Sequence, residues 1–216
     1  MRNVIIIIFL LPFFSNAQLL NQKGSEGGIF SLGVRSTLST FNSHHDESNG
    51  LGVGGQFRLQ FADKVNSDWF FDYISSDLGS FASREDYHIG WSVLFYPFSS
   101  MSKTPSLRSG LMGKKRFRPY ILAGHCFDYT RMVSNFNRSN LTERWSSAVQ
   151  GGIGTHINIS PRFDISIVGQ YMIHLGNEVG AHVHGGVVEF HEETGSSMEG
   201  HLLFHVGINY KIADLW

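Results

Sequence analysis

The chain has 216 residues, a formal net charge of −1 and a hydrophobic fraction of 42%, with 24 Gly, 18 Phe and only 5 Pro. That balance excludes a disordered chain and a bundle of apolar helices, and near-neutrality argues against a nucleic-acid partner. The single cysteine, Cys126, cannot close an internal disulfide and sits in no redox motif, so it reads as a small apolar filler in a strand.

The first residues read as an export signal. Arg2 supplies a positive charge, Val4 to Phe14 is apolar apart from Pro12, and Ser15-Asn16-Ala17 fits a small-residue cleavage site. The apolar run is shorter than the roughly 20 residues a helix needs to cross a bilayer. Residues 1–17 are therefore expected to be a signal peptide, with no Cys near the cleavage site for lipid attachment. Residues 18–27 would form a short periplasmic segment, and residues 28–216 one domain.

From residue 28 the dominant signal is a period of two. Successive strand residues point to opposite faces, so alternation marks a strand with one apolar and one polar side. A first strand is expected over Gly28–Thr40, with Phe30, Leu32, Val34 and Leu38 opposite Arg35 and Thr37. The second, Leu51–Phe61, sets Leu51, Val53, Phe57, Leu59 and Phe61 against Gly52, Gly54, Gln56, Arg58 and Gln60. The third, Ser67–Ile74, points Trp69, Phe71 and Tyr73 outward and Asp72 inward. The fourth, Arg84–Tyr96, points Tyr87, Ile89, Trp91, Val93 and Phe95 outward, with His88, Gly90 and Ser92 inward. A fifth, Pro119–Tyr129, is mostly apolar on both faces. The sixth, Trp145–Ile159, opposes Trp145, Val149, Ile153, Ile157 and Ile159 to Gln150, His156 and Asn158. The seventh, Phe163–Leu175, opposes Phe163, Ile165, Ile167, Tyr171 and Ile173 to Asp164, Ser166, Gln170 and His174. The eighth, His201–Ile212, opposes Leu202, Phe204, Val206, Ile208, Tyr210 and Ile212 to His201, His205, Asn209 and Lys211.

A soluble sandwich or lipocalin-like barrel also alternates. Strand length and aromatic placement favour a membrane instead. Several strands reach eleven residues, whereas globular strands average about 5–6 and a tilted membrane strand needs about 9–11. Phe41, Trp69, Tyr96, Tyr129, Trp145 and Trp216 lie near strand ends, where interfacial girdles belong. The pattern predicts an all-β, eight-stranded antiparallel transmembrane barrel of the outer-membrane type. Ala62–Asn66 and Ser160–Arg162 are tight turns, the alternate connections are longer, and short turns face the periplasm. Both termini are then periplasmic. The connection from Pro97 to Arg118 breaks the rule: it is long, and it carries Lys103, Arg108, Lys114, Lys115, Arg116 and Arg118 with no acid.

Tyr96-Pro97-Phe98, followed after an insertion by Arg118-Pro119-Tyr120-Ile121-Leu122-Ala123-Gly124, resembles a strand–turn–strand of small Bacteroidetes outer-membrane barrels. Ile159-Ser160-Pro161-Arg162-Phe163 with Gln170-Tyr171 is similar to a later turn and strand of the same group, the OmpA-like or PorT-like "outer membrane protein beta-barrel domain" family. The resemblance covers about residues 28–216 and implies architecture, outer-membrane localisation and a Gram-negative, Bacteroidetes source. The final strand, ending in Trp216, is similar to the signal read by the barrel-assembly machinery. Outer-membrane lipid and lipopolysaccharide, that machinery, and a periplasmic or outer-membrane protein are the expected partners.

Eight strands enclose a space that side chains fill. Arg35, Arg58 and Lys211 would share it with Asp72 and Asp164, paired because isolated buried charges are costly. A plugged interior and no diffusion pore are expected. In the last loop, residues 182–191 read as a hairpin with a Gly-Gly turn. Its period places His182, His184, Glu189 and His191 on one face, a candidate site for a divalent transition metal. A solvated polar face explains the same spacing more simply. His174-Leu175-Gly176-Asn177 is superficially similar to the His-x-Ser-Asn stretch of outer-membrane lipid A deacylases, but Gly176 stands where the nucleophilic Ser would be. His174 therefore reads as a hydrogen-bonded interior residue, and no enzyme, no cofactor and no catalytic residue is expected.

Overall fold

The computed structural model describes residues 27–41, 49–98, 117–160, 162–176, 178–184, 187–193 and 200–215. The strands are β1 (Ile29–Phe41), β2 (Gly50–Ala62), β3 (Val65–Leu78), β4 (Ala82–Phe95), β5 (Phe117–Ser134), β6 (Leu141–Asn158), β7 (Phe163–Leu175), β8 (Glu178–His184), β9 (Val187–Glu193) and β10 (Gly200–Asp214). Eight of them form one closed antiparallel barrel in the order β1-β10-β7-β6-β5-β4-β3-β2, and β8 pairs with β9 as a separate hairpin. Sequential neighbours pair throughout, so the barrel is a simple up-and-down meander.

Followed rung by rung, the register runs Phe30, Leu59, Ser67, Val93, Ala123, Gly151, Tyr171, Leu202 and back to β1 at Thr40, ten positions on. Eight strands with that stagger tilt by about 40° and enclose a barrel of radius about 8 Å. The 13-residue β1 then rises about 33 Å and the 18-residue β5 and β6 about 45 Å. Allowing for stagger, the strands finish near one level at the end carrying Asp63–Lys64 and Ile159–Arg162, here the turn end. At the opposite, loop end, β3 to β6 overshoot the rest by about 10 Å.

The two faces separate as their alternation dictates. Outward Leu51, Val53, Ile153 and Val34 are 65–68% exposed, while inward Arg58, Asp72, His88 and Gln150 are buried. Where the outward face meets the loop end it changes chemistry within one step. Tyr73, Tyr87, Tyr129 and Trp145 form a continuous row, with ring centroids 5.1, 5.9 and 4.8 Å apart. Two positions further out on the same strands stand Ser75, Glu85, Arg131 and Glu143. At the turn end Phe163 packs on Tyr210 at 4.8 Å. Between these rows the wall is almost continuous hydrocarbon. His125 interrupts it, with its Nε2 held 2.7 Å from Ser147 Oγ rather than left to the surroundings.

Four expectations need correction. β5 runs from Phe117 to Ser134 rather than from Pro119 to Tyr129, its apolar inner face giving no alternation to mark its ends. β3 and β4 run on to Leu78 and Ala82, so their connection is only Gly79–Phe81, turned by Gly79 at φ 54°. β6 begins at Leu141 rather than Trp145, and Ile159 lies beyond its end. Tyr96 is no girdle residue: it is 1% exposed inside the barrel, where its hydroxyl accepts a 2.8 Å bond from Asn66 Nδ2. Residues 1–26 and Trp216, on which the signal-peptide and terminal-aromatic readings fall, lie outside the described residues.

A charge placed mid-wall should therefore be far worse than one beyond the aromatic row. Ile153→Arg is expected to weaken folding into lipid vesicles by about 2–4 kcal/mol, and Ser75→Lys by no more than about 1 kcal/mol. Denaturant titration in vesicles measures both.

Candidate functional site

The interior is layered. Near the turn end, Arg58 forms a two-pronged pair with Asp68, Nε–Oδ1 2.6 Å and Nη2–Oδ2 3.1 Å, and its Nη1 reaches Asp164 Oδ1 at 3.2 Å. Lys211 Nζ donates to Asn158 Oδ1 at 3.0 Å and lies 3.8 Å from Asp164 Oδ2. Above them Arg35 grips Asp72 through two nitrogens, one at 2.6 Å, and its guanidinium lies 4.2 Å over the Phe70 ring. Gly54 is needed beside this pair, because a Cβ there would collide with Asp72 Oδ1. Gln170, Gln150 and Ser92 form a chain of 2.9 and 2.7 Å hydrogen bonds across the same level.

The loop-end layer centres on Asp128. His88 Nε2 lies 3.1 Å from its Oδ1, off the hydrogen-bond line, and His174 Nδ1 lies 3.1 Å from its Oδ2. Arg144 Nη2 approaches Oδ2 at 3.5 Å, and Ser146 Oγ donates to it at 3.3 Å. Arg84 pairs with Asp86 at 2.9 Å, and Thr130 Oγ1 donates to Asp86 Oδ1 at 2.7 Å.

Among the described residues, Arg35, Arg58, Arg84, Arg144 and Lys211 face the carboxylates of Asp68, Asp72, Asp86, Asp128 and Asp164, and Arg118 lines the void beside Arg58 at the turn end. Apolar clusters fill what the charges leave: Leu94, Tyr96, Tyr120 and Leu122 low in the barrel, Phe70, Ile74, Cys126, Ala148, Met172 and Leu203 in the middle, Leu78, Ala82 and Met132 at the top. Two interior voids, beside Arg58 and Arg35, hold about 10 and 20 Å³, about one water each. The β8–β9 hairpin leans onto the overshooting wall. Val188 is 3% exposed, its carbonyl accepts a 2.6 Å bond from Asn140 Nδ2, and Phe190 packs on the top cluster.

The residues expected inside are inside: Arg35, Arg58, Lys211, Asp72 and Asp164 form one paired system with its neighbours. Counting parity along β3 and β4 would add Asp68, Arg84 and Asp86. The apolar inner face of β5 hides Asp128, and the late start expected for β6 hides Arg144. Of the metal candidates, the register pairs His182 with Glu189, His184 with Val187 and His191 with Gly180, the hairpin pairing anticipated from the sequence. Glu189 is exposed, and the side chains of His182, His184 and His191 lie outside the described residues. Among the described residues no group of three or more His, Cys, Asp or Glu is arranged to hold a metal. His174 faces the lumen; Ser146 Oγ, 3.3 Å away, shares Nδ1 with Asp128. A nucleophile relay needs the two partners on opposite ring nitrogens.

No family model matches this chain, and no curated protein matches its sequence. Its structure is similar to that of Neisserial surface protein A, with TM-score 0.56 and 12% identity over 88% of this chain and 100% of that one. It is also similar to a major outer membrane protein from Thermus thermophilus, with TM-score 0.53 and 12% identity over 85% of this chain and 99% of that one. At such identity the likeness concerns the fold, an eight-stranded barrel of the outer-membrane type.

Removing one member of a buried pair leaves the other charge uncompensated. Asp72→Ala is expected to destabilise the folded barrel by about 3–5 kcal/mol, and Arg35→Met with Asp72→Leu to recover most of that loss. Urea titration in detergent measures the difference.

Proposed function

We propose that this protein is an integral barrel of a bacterial outer membrane with a sealed interior, acting as a non-enzymatic structural, accessory or receptor subunit through its two ends. The observation that carries the reading is the filled lumen among the described residues: buried charges held in pairs, apolar clusters between them, and water-sized voids beside Arg58 and Arg35. Such an interior offers no route for a solute. The apolar wall between aromatic rows supports the membrane location, and the resemblance to small Bacteroidetes barrels points the same way.

In this reading the turn end, with both termini, faces the periplasm. β4 ends and β5 begins at this end; Lys103, Arg108, Lys114, Lys115 and Arg116 of their connection lie outside the described residues, and in this reading they meet phosphates or an acidic protein surface. Arg118 is anchored at that end, donating to the Asp63 carbonyl at 3.0 Å and lying 4.4 Å over the Tyr96 ring. The overshooting β3–β6 wall, roofed by the β8–β9 hairpin, is the surface presented outside. The same reading makes His174 and its neighbours part of the packing rather than a lipid A-modifying centre.

Planar-bilayer recording and thiol labelling test this together. The purified barrel is expected to show no stepwise conductance. Cys126 is fully buried and stays silent to a membrane-impermeant maleimide. Ser80→Cys should label on intact cells, and Lys64→Cys only after permeabilisation. Conductance steps contradict the sealed interior, and reversed labelling contradicts the orientation.

A further inference from the structure

The outward wall is not smooth. On β2 the outward position between Val53 and Phe57 is Gly55, and a Cβ built there meets nothing nearer than the Gly33 carbonyl at 4.0 Å. Its rung neighbours are Val34 on β1 and Phe71 on β3. The absent side chain makes the floor of a groove of about 760 Å³ that runs obliquely from Tyr210 on β10, past Phe57, to Ile89 on β4. Its exposed lining is almost wholly hydrocarbon. At its foot the Tyr210 hydroxyl accepts a 2.9 Å hydrogen bond from Arg162 Nη1, and Arg162 is exposed on the turn between β6 and β7.

Width, depth and charge select the occupant. From β1 to β3 the backbones are about 10 Å apart. The side chains of Val34 and Phe71 narrow that gap to about one hydrocarbon chain. A helix, about 10–12 Å across with its side chains, does not seat there. The groove starts at the turn-end aromatic pair Phe163–Tyr210 and stops mid-wall, so it spans one leaflet. The cation at its foot stands at headgroup level, where a guanidinium takes a phosphate in a two-pronged hydrogen bond.

We infer that this groove holds one acyl chain of a periplasmic-leaflet phospholipid, its phosphate on Arg162. The inference rests on the outer-membrane reading and adds a specific lipid site to it. A side chain at Gly55 carries no backbone strain, because among described glycines only Gly28 and Gly79 have positive φ.

Native mass spectrometry of the barrel extracted from membranes in mild detergent tests the site. Heat-shifted gel mobility checks that each variant is folded. The wild type should retain one phospholipid per barrel. Gly55→Phe and the smaller Gly55→Leu should lower that retention at least tenfold, and Arg162→Gln several-fold. Val149→Phe, on the opposite wall, should leave it unchanged. A wild-type barrel free of lipid, wild-type retention in both Gly55 variants, or a lipid A or second-barrel mass in place of phospholipid overturns the inference. A barrel that floats with membranes yet keeps no lipid contradicts this site alone; one recovered in the aqueous fraction contradicts the outer-membrane reading.

Discussion

In hydrocarbon every backbone N–H and C=O must find its partner inside the protein, because no water is there to take it. The seam between the first and last barrel strands meets that requirement. β1 and β10 pair from Ile29–Asp214 to Phe41–His201, with one irregularity between Phe30 and Ser31, and no barrel strand is left as an edge along the wall. Closure at eight strands with a ten-residue stagger fixes the radius. The radius fixes how much side chain the lumen can hold, and the two-residue period decides which side chains those are. A chain that failed to join this seam would leave two unpaired edges in the bilayer.

The lumen shows how polar residues fill a narrow tube. Charged side chains buried singly would be costly, yet here each cation sits against a carboxylate or a shared amide, and guanidinium–carboxylate geometry is two-pronged at Arg58–Asp68 and Arg35–Asp72. Among the described residues the charged layers alternate with apolar clusters along the barrel. In the function proposed above, the surfaces that meet other molecules are the loop-end rim with its hairpin, the turn end and the wall itself.

Most of this fold is legible in alternation alone. The expected bounds of β2 and β7 fall within a residue of the observed ends or better, and the face expected for each of their residues is right, because a one-residue slip would turn every side chain over. Legibility ends where alternation loses contrast. β5 carries Tyr120, Leu122, Cys126 and Met132 on its inner face, so its polarity does not alternate, although the pairing of its neighbours leaves its register no freedom. Tyr96 looks like an interfacial ring because it ends a strand, but parity from Phe95 turns it inward. The extensions of β3 to β6 escape the pattern because the first outward residues past Tyr73, Tyr87, Tyr129 and Trp145 are Ser75, Glu85, Arg131 and Glu143, which break the apolar alternation. The Asp128 centre is assembled from β4, β5, β6 and β7, and no local spacing signals residues drawn from four strands.

Continuity of the closed wall is the claim on which the proposed sealed lumen, the lipid-facing groove and the proposed roles of the two ends all stand. Amide hydrogen exchange in lipid nanodiscs probes it at the seam. Amides of Val34 to Leu38 and their β10 partners should exchange as slowly as those joining β6 to β7. Rapid exchange confined to β1 and β10 would show an open sheet and contradict the account.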